Sequence, residues 1–267
     1  MNAFWFALLL TLLAGLSTGI GSLIALFAKR TNKKLLSIAL GFSAGVMIYI
    51  AFVELLNQGT IFLVGVYGFK TGSIVAAISF FGGMGVAALI DKLIPEYENP
   101  HEAHALEEMN DSPELKNKLL HRMGLLSAVV IAIHNFPEGI VTFASALSNP
   151  SLGIAIAVAV AIHNIPEGIA VAIPIYYSTG SRKKAFVYSF LSGLAEPIGA
   201  IIAYLVLREF FSNSLFGILF AIVAGIMVFI SLDELLPAAQ KHGEHHLSIY
   251  GLIAGMAIMA FSLLMLL

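Results

Sequence analysis

The sequence predicts an all-α integral membrane protein with eight transmembrane helices, and three observations support this fold class. Apolar residues make up 59% of the chain, and charged residues only 11%. The mean hydropathy is +0.92, which excludes an ordinary soluble domain. The apolar residues also form runs long enough to cross a bilayer core of about 30 Å at about 1.5 Å per helical residue.

The eight apolar segments follow one another along a single polytopic membrane domain, residues 1–267. They are predicted at residues 4–28, 35–57, 72–94, 122–147, 151–176, 184–208, 214–238 and 247–266. The positive charges near the first segment follow it, so we expect a retained transmembrane helix and not a cleaved signal peptide. Residues 95–121 form the one long polar connection, which is acidic and contains histidines. We expect this connection to be a mobile cytoplasmic loop.

Lys and Arg residues are distributed unevenly among the connections. Twelve of the 14 lie in the first, third, fifth and seventh connections. Positive residues accumulate on the cytoplasmic side of membrane proteins. We therefore predict a multi-pass protein of the cell membrane with both termini on the non-cytoplasmic side.

The first three segments resemble the last three. When the sequence is aligned with itself so that Gly15-Leu16 matches Gly193-Leu194, the second segment also matches the seventh. Glu54 then falls near Glu234 in the alignment. Corresponding segments cross the membrane in opposite directions. This pattern predicts an inverted repeat of helices 1–3 and 6–8 around helices 4–5, an architecture common among secondary transporters.

A six-residue phrase occurs twice, in the fourth and fifth segments. Its copies are His134-Asn135-Phe136-Pro137-Glu138-Gly139 and His163-Asn164-Ile165-Pro166-Glu167-Gly168. A charged group near the centre of a membrane helix costs roughly 2.5 kcal/mol or more, so such residues usually face a polar pathway or a bound ion. In each copy His and Glu are four residues apart, which puts both on one helix face. Both copies are also similarly distant from the short connection at Asn149.

The residue types in these phrases indicate a metal site. Imidazole and carboxylate groups suit zinc and similar divalent ions, and the absence of cysteine excludes thiolate ligands. The candidate metal ligands are His134, Asn135, Glu138, His163, Asn164, Glu167 and Glu196. Glu54 near the outer end of the second segment, and Asp233 and Glu234 near the cytoplasmic end of the seventh, are candidate pathway residues at the two mouths.

Several alternatives stay open at this point. The phrases could be helix kinks whose polar groups hydrogen-bond to one another. Glu196 could be a carboxylic acid that hydrogen-bonds to backbone groups left without helical partners. An intramembrane metalloenzyme is disfavoured because the His-Glu-x-x-His pattern is absent. A proton-conducting channel would use the same carboxylates without a metal. The sequence contains no basic cluster or groove that would indicate nucleic-acid binding.

Three motifs resemble the signature of the ZIP (Zrt/Irt-like) metal-ion transporters, in particular the bacterial ZupT-type branch. They are His-Asn-x-Pro-Glu-Gly in the fourth and fifth segments, Ser-Gly-Leu-Ala-Glu in the sixth, and Ser-Leu-Asp-Glu-Leu-Leu-Pro in the seventh. The resemblance implies an eight-helix transporter, not an enzyme, with no catalytic residues. It also implies uptake of divalent metals towards the cytoplasm through a binuclear central site.

The resemblance further implies how the ligands are shared. One metal would take His134, Glu138, His163 and Glu167; the second would take Asn135, Asn164 and Glu196, with Glu138 and Glu167 as bridges. Relatives of this type accept zinc, iron, manganese, cobalt and cadmium, bound as transported ions and not as cofactors. The expected partners are these divalent metal ions and the lipid bilayer, without nucleic acid, and a homodimer is left open.

Overall fold

The structure is a computed structural model that describes residues 2–27, 33–93, 113–242 and 245–265. These residues are almost entirely helical and contain no strand, which confirms the predicted all-α class. The α-helices are α1 Ala3–Phe27, α2 Lys33–Ile50, α3 Leu56–Tyr67, α4 Phe69–Leu93, α5 Pro113–Ser148, α6 Pro150–Thr179, α7 Arg182–Gly193, α8 Ala195–Leu207, α9 Asn213–Ile230, α10 Leu236–His242 and α11 His245–Met265. A short 3-10 turn, Arg208–Phe210, follows α8.

Among the residues that the structure describes, seven helical spans are long and apolar enough to cross a membrane, so the protein is a multi-pass membrane protein. They are Ala3–Ile24, Ser37–Tyr67, Phe69–Lys92, Pro150–Ile173, Arg182–Phe210, Asn213–Gln240 and His246–Met265. The remaining predicted segment, 122–147, lies within α5, whose first turns are polar and which contains one phrase copy. Because α5 begins at Pro113, the last part of the predicted loop 95–121 is helical, while residues 94–112 lie outside the described residues.

The connection between α5 and α6 is a tight turn set by local sequence. The Asn149 side chain accepts hydrogen bonds from the backbone N–H groups of Ser151 (2.9 Å) and Leu152 (3.4 Å), which caps α6. Pro150 occupies the first turn, where its missing N–H removes no helical bond. α5 and α6 therefore form an antiparallel hairpin that brings the two phrase copies side by side.

The predicted segment 184–208 is two helices in the structure. α7 ends at Gly193 and α8 begins at Ala195, with Leu194 between them at φ −68° and ψ −11°. Pro197 explains the break, because proline has no N–H and its ring clashes with the carbonyl four residues earlier, that of Gly193. The break lies directly before Glu196.

Two of the spans contain a π-helical turn. The first π segment, Ala51–Leu55, joins α2 to α3, and the second π segment, Ser231–Leu235, joins α9 to α10. The segments occupy corresponding places in the second and seventh predicted segments, and each contains a glutamate, Glu54 or Glu234. A π turn inserts an extra residue into the helix and redirects the side chains near it, and such turns are frequent at functional sites.

The helices pack in two groups. α1, α5, α6, α7 and α8 form the α5–α6 group, and α2, α3, α4, α9, α10 and α11 form the α2–α9 group. The groups meet chiefly where α2 crosses α6. Only 22% of the α4 and α11 spans is buried, so both present most of their apolar surface outwards, towards lipid.

Glycine permits the close crossing of α4 and α9. A Cβ atom at Gly83 would overlap the backbone carbonyl of Ile222, whereas Gly82 and Gly85 have nothing within 4 Å of that position. Small residues at one helix face allow backbones to approach in membranes. Three neighbouring glycines therefore differ in their environment.

We predict that Gly83→Ala destabilises the protein by about 1–3 kcal/mol, because α4 and α9 must separate. Gly82→Ala and Gly85→Ala should leave the melting temperature unchanged or slightly raised, because their side chains would face open space. Thermal unfolding of the three detergent-purified variants measures this. Equal melting temperatures for all three would contradict the proposed crossing.

Candidate metal-binding site

The two phrase copies lie side by side in the interior of the α5–α6 hairpin. His134, Asn135 and Glu138 on α5, and the equivalent His163, Asn164 and Glu167 on α6, all have side chains with at most 9% exposure. Pro137 and Pro166 each remove one backbone donor, so carbonyls one turn earlier lose their usual partners. Six predicted ligands are thus buried in one region of the fold.

The imidazole of His163 is oriented as a metal-binding histidine usually is. Its Nδ1 lies 3.1 Å from the carbonyl oxygen of Ala159, and its Nε2 lies 3.1 Å from Oε2 of Glu138. A carbonyl can only accept, so Nδ1 carries the hydrogen in that bond. Donation by one ring nitrogen to a backbone carbonyl fixes the ring and turns the other nitrogen towards a cation. Nε2 and the Glu138 carboxylate are therefore a suitable ligand pair.

Both asparagine amides are anchored by backbone carbonyls. Nδ2 of Asn135 donates to the carbonyl of Ser192 (3.2 Å), and Nδ2 of Asn164 donates to the carbonyl of Ala14 (3.0 Å). Asn164 Nδ2 also donates to Oε1 of Glu196, which brings α8 into the site. Because each nitrogen is bound, each amide oxygen is free to act as an acceptor.

Glycine allows α8 to approach this closely. A Cβ atom at Gly139 would overlap the backbone of Glu196, so only glycine permits this contact between α5 and α8. Glu196 is itself fully buried. The glycine that ends the first phrase thus positions a carboxylate contributed by another helix.

Glu234, which the sequence predicts near the cytoplasmic end of the seventh segment, contacts the cluster directly in the structure. Its side chain is 4% exposed, and its Oε1 lies 3.3 Å from Nε2 of His134. The second π segment explains this contact, because it redirects Glu234 while Asp233 remains exposed. Glu54, in the first π segment, is half-buried and accepts a hydrogen bond from Gln58 (3.4 Å).

The sequence reasoning also missed Ser43. This buried α2 residue donates its hydroxyl to the carbonyl of His163 (3.2 Å), which links the two helix groups at the site. No motif marks Ser43 in the sequence. For Glu234 the sequence did contain a signal. Its match to Glu54 in the internal repeat could have indicated a role beyond that of a carboxylate at the membrane interface.

The chemistry of the site is that of an oxygen-rich cation site. Five buried amide and carboxylate oxygen atoms of the predicted ligands have no hydrogen-bond partner: Asn135 Oδ1, Glu138 Oε1, Asn164 Oδ1, Glu167 Oε2 and Glu196 Oε2. All five are acceptors, and leaving a buried polar group unpaired costs about 1–3 kcal/mol. A divalent cation with oxygen and imidazole ligands would satisfy them.

Four ionisable side chains of the site form two separate pairs. Within the part of the chain that the structure describes, no three His, Asp or Glu side chains surround a common point closely enough to hold a metal ion. The pairs are Glu138 with His163 and His134 with Glu234. For three or more of these side chains to coordinate one ion, they would have to rotate out of these pairs.

We predict that Glu234→Ala weakens zinc binding about 10- to 100-fold, as His134→Ala does, because the two side chains act as a unit. The double variant should be little worse than either single variant. Zinc-dependent shifts in the melting temperature of the purified protein measure the affinity. Leu232→Ala, at an exposed position of the same π segment, is the control. Wild-type affinity in Glu234→Ala would show that the pair is not part of the site.

Comparison with known proteins agrees with this chemistry. The family model described as "ZIP Zinc transporter" matches residues 91–263, which include both phrase copies. A protein named "Zinc transporter ZupT" from Clostridium perfringens is 59% identical over 277 residues, covering 99% of this chain and 97% of that protein. Proteins of the same name from Chlorobium chlorochromatii and Oceanobacillus iheyensis are 62% and 59% identical, covering 97% and 100% of both chains. The chain therefore belongs to the ZIP zinc transporter family.

Proposed function

We propose that this protein imports divalent metal cations into the cytoplasm, with zinc as the principal substrate. The observation that carries the proposal is the set of five unpaired, buried oxygen atoms beside two buried imidazoles between α5 and α6. The relatives are named zinc transporters. A site of oxygen and nitrogen donors without thiolates discriminates poorly among first-row ions. We therefore include iron, manganese, cobalt and the softer cadmium among the proposed substrates.

We also propose that the site is binuclear. His134, Glu138, His163 and Glu167 would hold one ion, and Asn135, Asn164 and Glu196 a second, with Glu138 and Glu167 shared. The bond from Asn164 to Glu196 supports the second group, because it brings α6 and α8 together. Glu234, through its contact with His134, would join the ligands of the first ion.

We propose the inverted repeat as the basis of alternating exposure. The two asparagine anchors support it: the carbonyls of Ala14 and Ser192 hold Asn164 and Asn135, and the overlay of Gly15 on Gly193 also places Ala14 on Ser192. The two π segments support it as well, at nearly the same offset. The moving parts would be the α5–α6 group and the α2–α9 group, which pack less extensively against each other than within themselves.

Two contacts between the groups support a site that lies nearer the cytoplasmic side in the proposed orientation. Ser43, which bonds the His163 carbonyl, lies six residues inside the span Ser37–Tyr67. Glu234, which contacts His134, lies six residues before the end of Asn213–Gln240. In the proposed orientation both ends are cytoplasmic, and six residues of helix correspond to about 9 Å. For import, the α5–α6 group would have to move towards the non-cytoplasmic side relative to the α2–α9 group, which would break these contacts.

We propose the cell membrane as the location, with both termini on the non-cytoplasmic side. A homodimer would bury one of the outward faces of α4 or α11, the two least buried spans. The proposed chemistry of the site depends on neither the location nor the homodimer.

The transport proposal is tested by zinc entry into proteoliposomes loaded with a fluorescent chelator. Wild type should show saturable entry, and His134→Ala/Glu138→Ala should show none, because both lose ligands of the first ion. Glu167→Ala should also abolish entry, because its carboxylate bridges both ions. Ile78→Ala, on the outward face of α4, is the control. Equal entry in wild type and the ligand variants would overturn the assignment, and chelator-insensitive proton currents would favour a proton channel.

The orientation is tested by single-cysteine labelling, which needs no prior engineering because the chain contains no cysteine. Ser148→Cys, at the exposed end of α5, should react with a membrane-impermeant maleimide in intact cells. Lys183→Cys, at the exposed start of α7, should react only after permeabilisation. The reverse pattern would invert the proposed topology.

A further inference from the structure

The hydroxyl of Thr18 departs from the usual behaviour of threonine inside a helix. Threonine normally donates to the carbonyl four residues earlier, as Thr11 does to Ala7 (2.9 Å) in the same helix and Thr60 does to Leu56 (2.7 Å). Thr18 is fully buried, and its Oγ1, like that of the buried Thr142 on α5, has no hydrogen-bond partner. A buried hydroxyl of this kind is unfavourable unless a ligand binds it.

The backbone carbonyl that Thr18 would normally use has other donors. The acceptor that Thr18 would use is the carbonyl of Ala14, and this oxygen already accepts from Asn164 Nδ2 (3.0 Å) and Ser17 Oγ (2.6 Å). This carbonyl therefore has two side-chain donors, one of them a proposed metal ligand, and the Thr18 hydroxyl is not among them.

Thr18 lies between two backbone segments that carry site carboxylates. A Cβ atom at Gly193 would be 2.9 Å from Thr18 Oγ1, and Gly193 precedes Glu196 by three residues. A Cβ atom at Gly168 would overlap the Thr18 carbonyl, and Gly168 directly follows Glu167. α1 therefore brings Thr18 to the same region as these two acids.

The internal repeat gives an independent reason to associate Thr18 with the site. The alignment that overlays Gly15 on Gly193 also overlays Thr18 on Glu196. In an inverted repeat, equivalent residues approach a central site from opposite sides. One repeat would contribute a carboxylate there and the other a hydroxyl.

We propose that the Thr18 hydroxyl is an additional oxygen ligand for the transported cation, beside Asn164 and Glu196, and that it favours Mn²⁺ relative to Zn²⁺. The proposal rests on the proposed transport function. A hydroxyl adds an oxygen donor without adding charge. Mn²⁺ prefers six oxygen-rich ligands, whereas Zn²⁺ is satisfied by four that include imidazole, so the loss of one oxygen affects Mn²⁺ more.

The test compares Thr18→Val, which keeps the shape and removes the hydroxyl, with Thr18→Ser, which keeps the hydroxyl. Thr11→Val is the matched control, because Thr11 is an equally buried threonine of α1 whose hydroxyl bonds the backbone. Affinities for Mn²⁺ and Zn²⁺ are obtained from metal-dependent shifts in melting temperature, and KM values from proteoliposome uptake. If Thr18→Val does not fold, Thr18→Ala provides the same comparison.

We expect Thr18→Val to weaken Mn²⁺ binding about tenfold and Zn²⁺ binding less than about threefold, by analogy with the loss of other groups that support a metal site. Thr18→Ser should restore Mn²⁺ binding, and Thr11→Val should match wild type for both ions. Unchanged Mn²⁺ affinity in Thr18→Val, or an equal loss in Thr11→Val, would overturn the role of Thr18 alone. Absence of any metal response in wild type would instead overturn the transport proposal as well.

Discussion

The burial of four carboxylates, two of which have a histidine as their basic partner, is the constraint on which the rest of this structure depends. Glu138, Glu167, Glu196 and Glu234 are each at most 4% exposed. The sequence contains no Lys or Arg between Arg122 and Arg182, so histidine is the only basic residue in the part of the hairpin that carries two of these acids. Isolated charges in such an environment are very costly. Imidazole, asparagine amides and a transported cation are the groups available to offset that cost.

The packing of the helices follows from the need to bring these groups together. Glycines at the phrase ends allow α5 to contact the Glu196 backbone and α6 to contact Thr18, closer than any side chain would permit. Backbone carbonyls of α1 and α7 then anchor the two asparagines. The small residues thus do more than pack helices, because they set which oxygen atoms face the site.

The same arrangement makes transport physically reasonable. Each proposed ligand belongs either to the α5–α6 hairpin and its neighbours or, in the case of Glu234, to the second π segment in the other helix group. The boundary between the groups includes polar contacts, such as those of Ser43 with His163 and of Glu234 with His134, beside apolar contacts within one shared core. Hydrogen bonds of this kind contribute about 1 kcal/mol each, so they can be exchanged as the groups move. Binding and movement would therefore use the same residues.

The sequence alone determined the fold class and the multi-pass membrane character, and it predicted the residues of the candidate site. These properties are local, because the apolar runs and the repeated His-Asn-x-Pro-Glu-Gly phrase consist of neighbouring residues. The sequence does not predict the break before Glu196 at Pro197, since it indicates one helix over residues 184–208. Only the tertiary structure decided that Glu234 contacts His134, that Ser43 bonds the His163 carbonyl and that Thr18 has a free hydroxyl. Each of these depends on helix rotation, on a π turn or on the sharing of one carbonyl by residues far apart in the chain. The internal repeat singles out Glu234 and Thr18, but no motif in the chain specifies the contacts themselves, because they arise only when the helices cross.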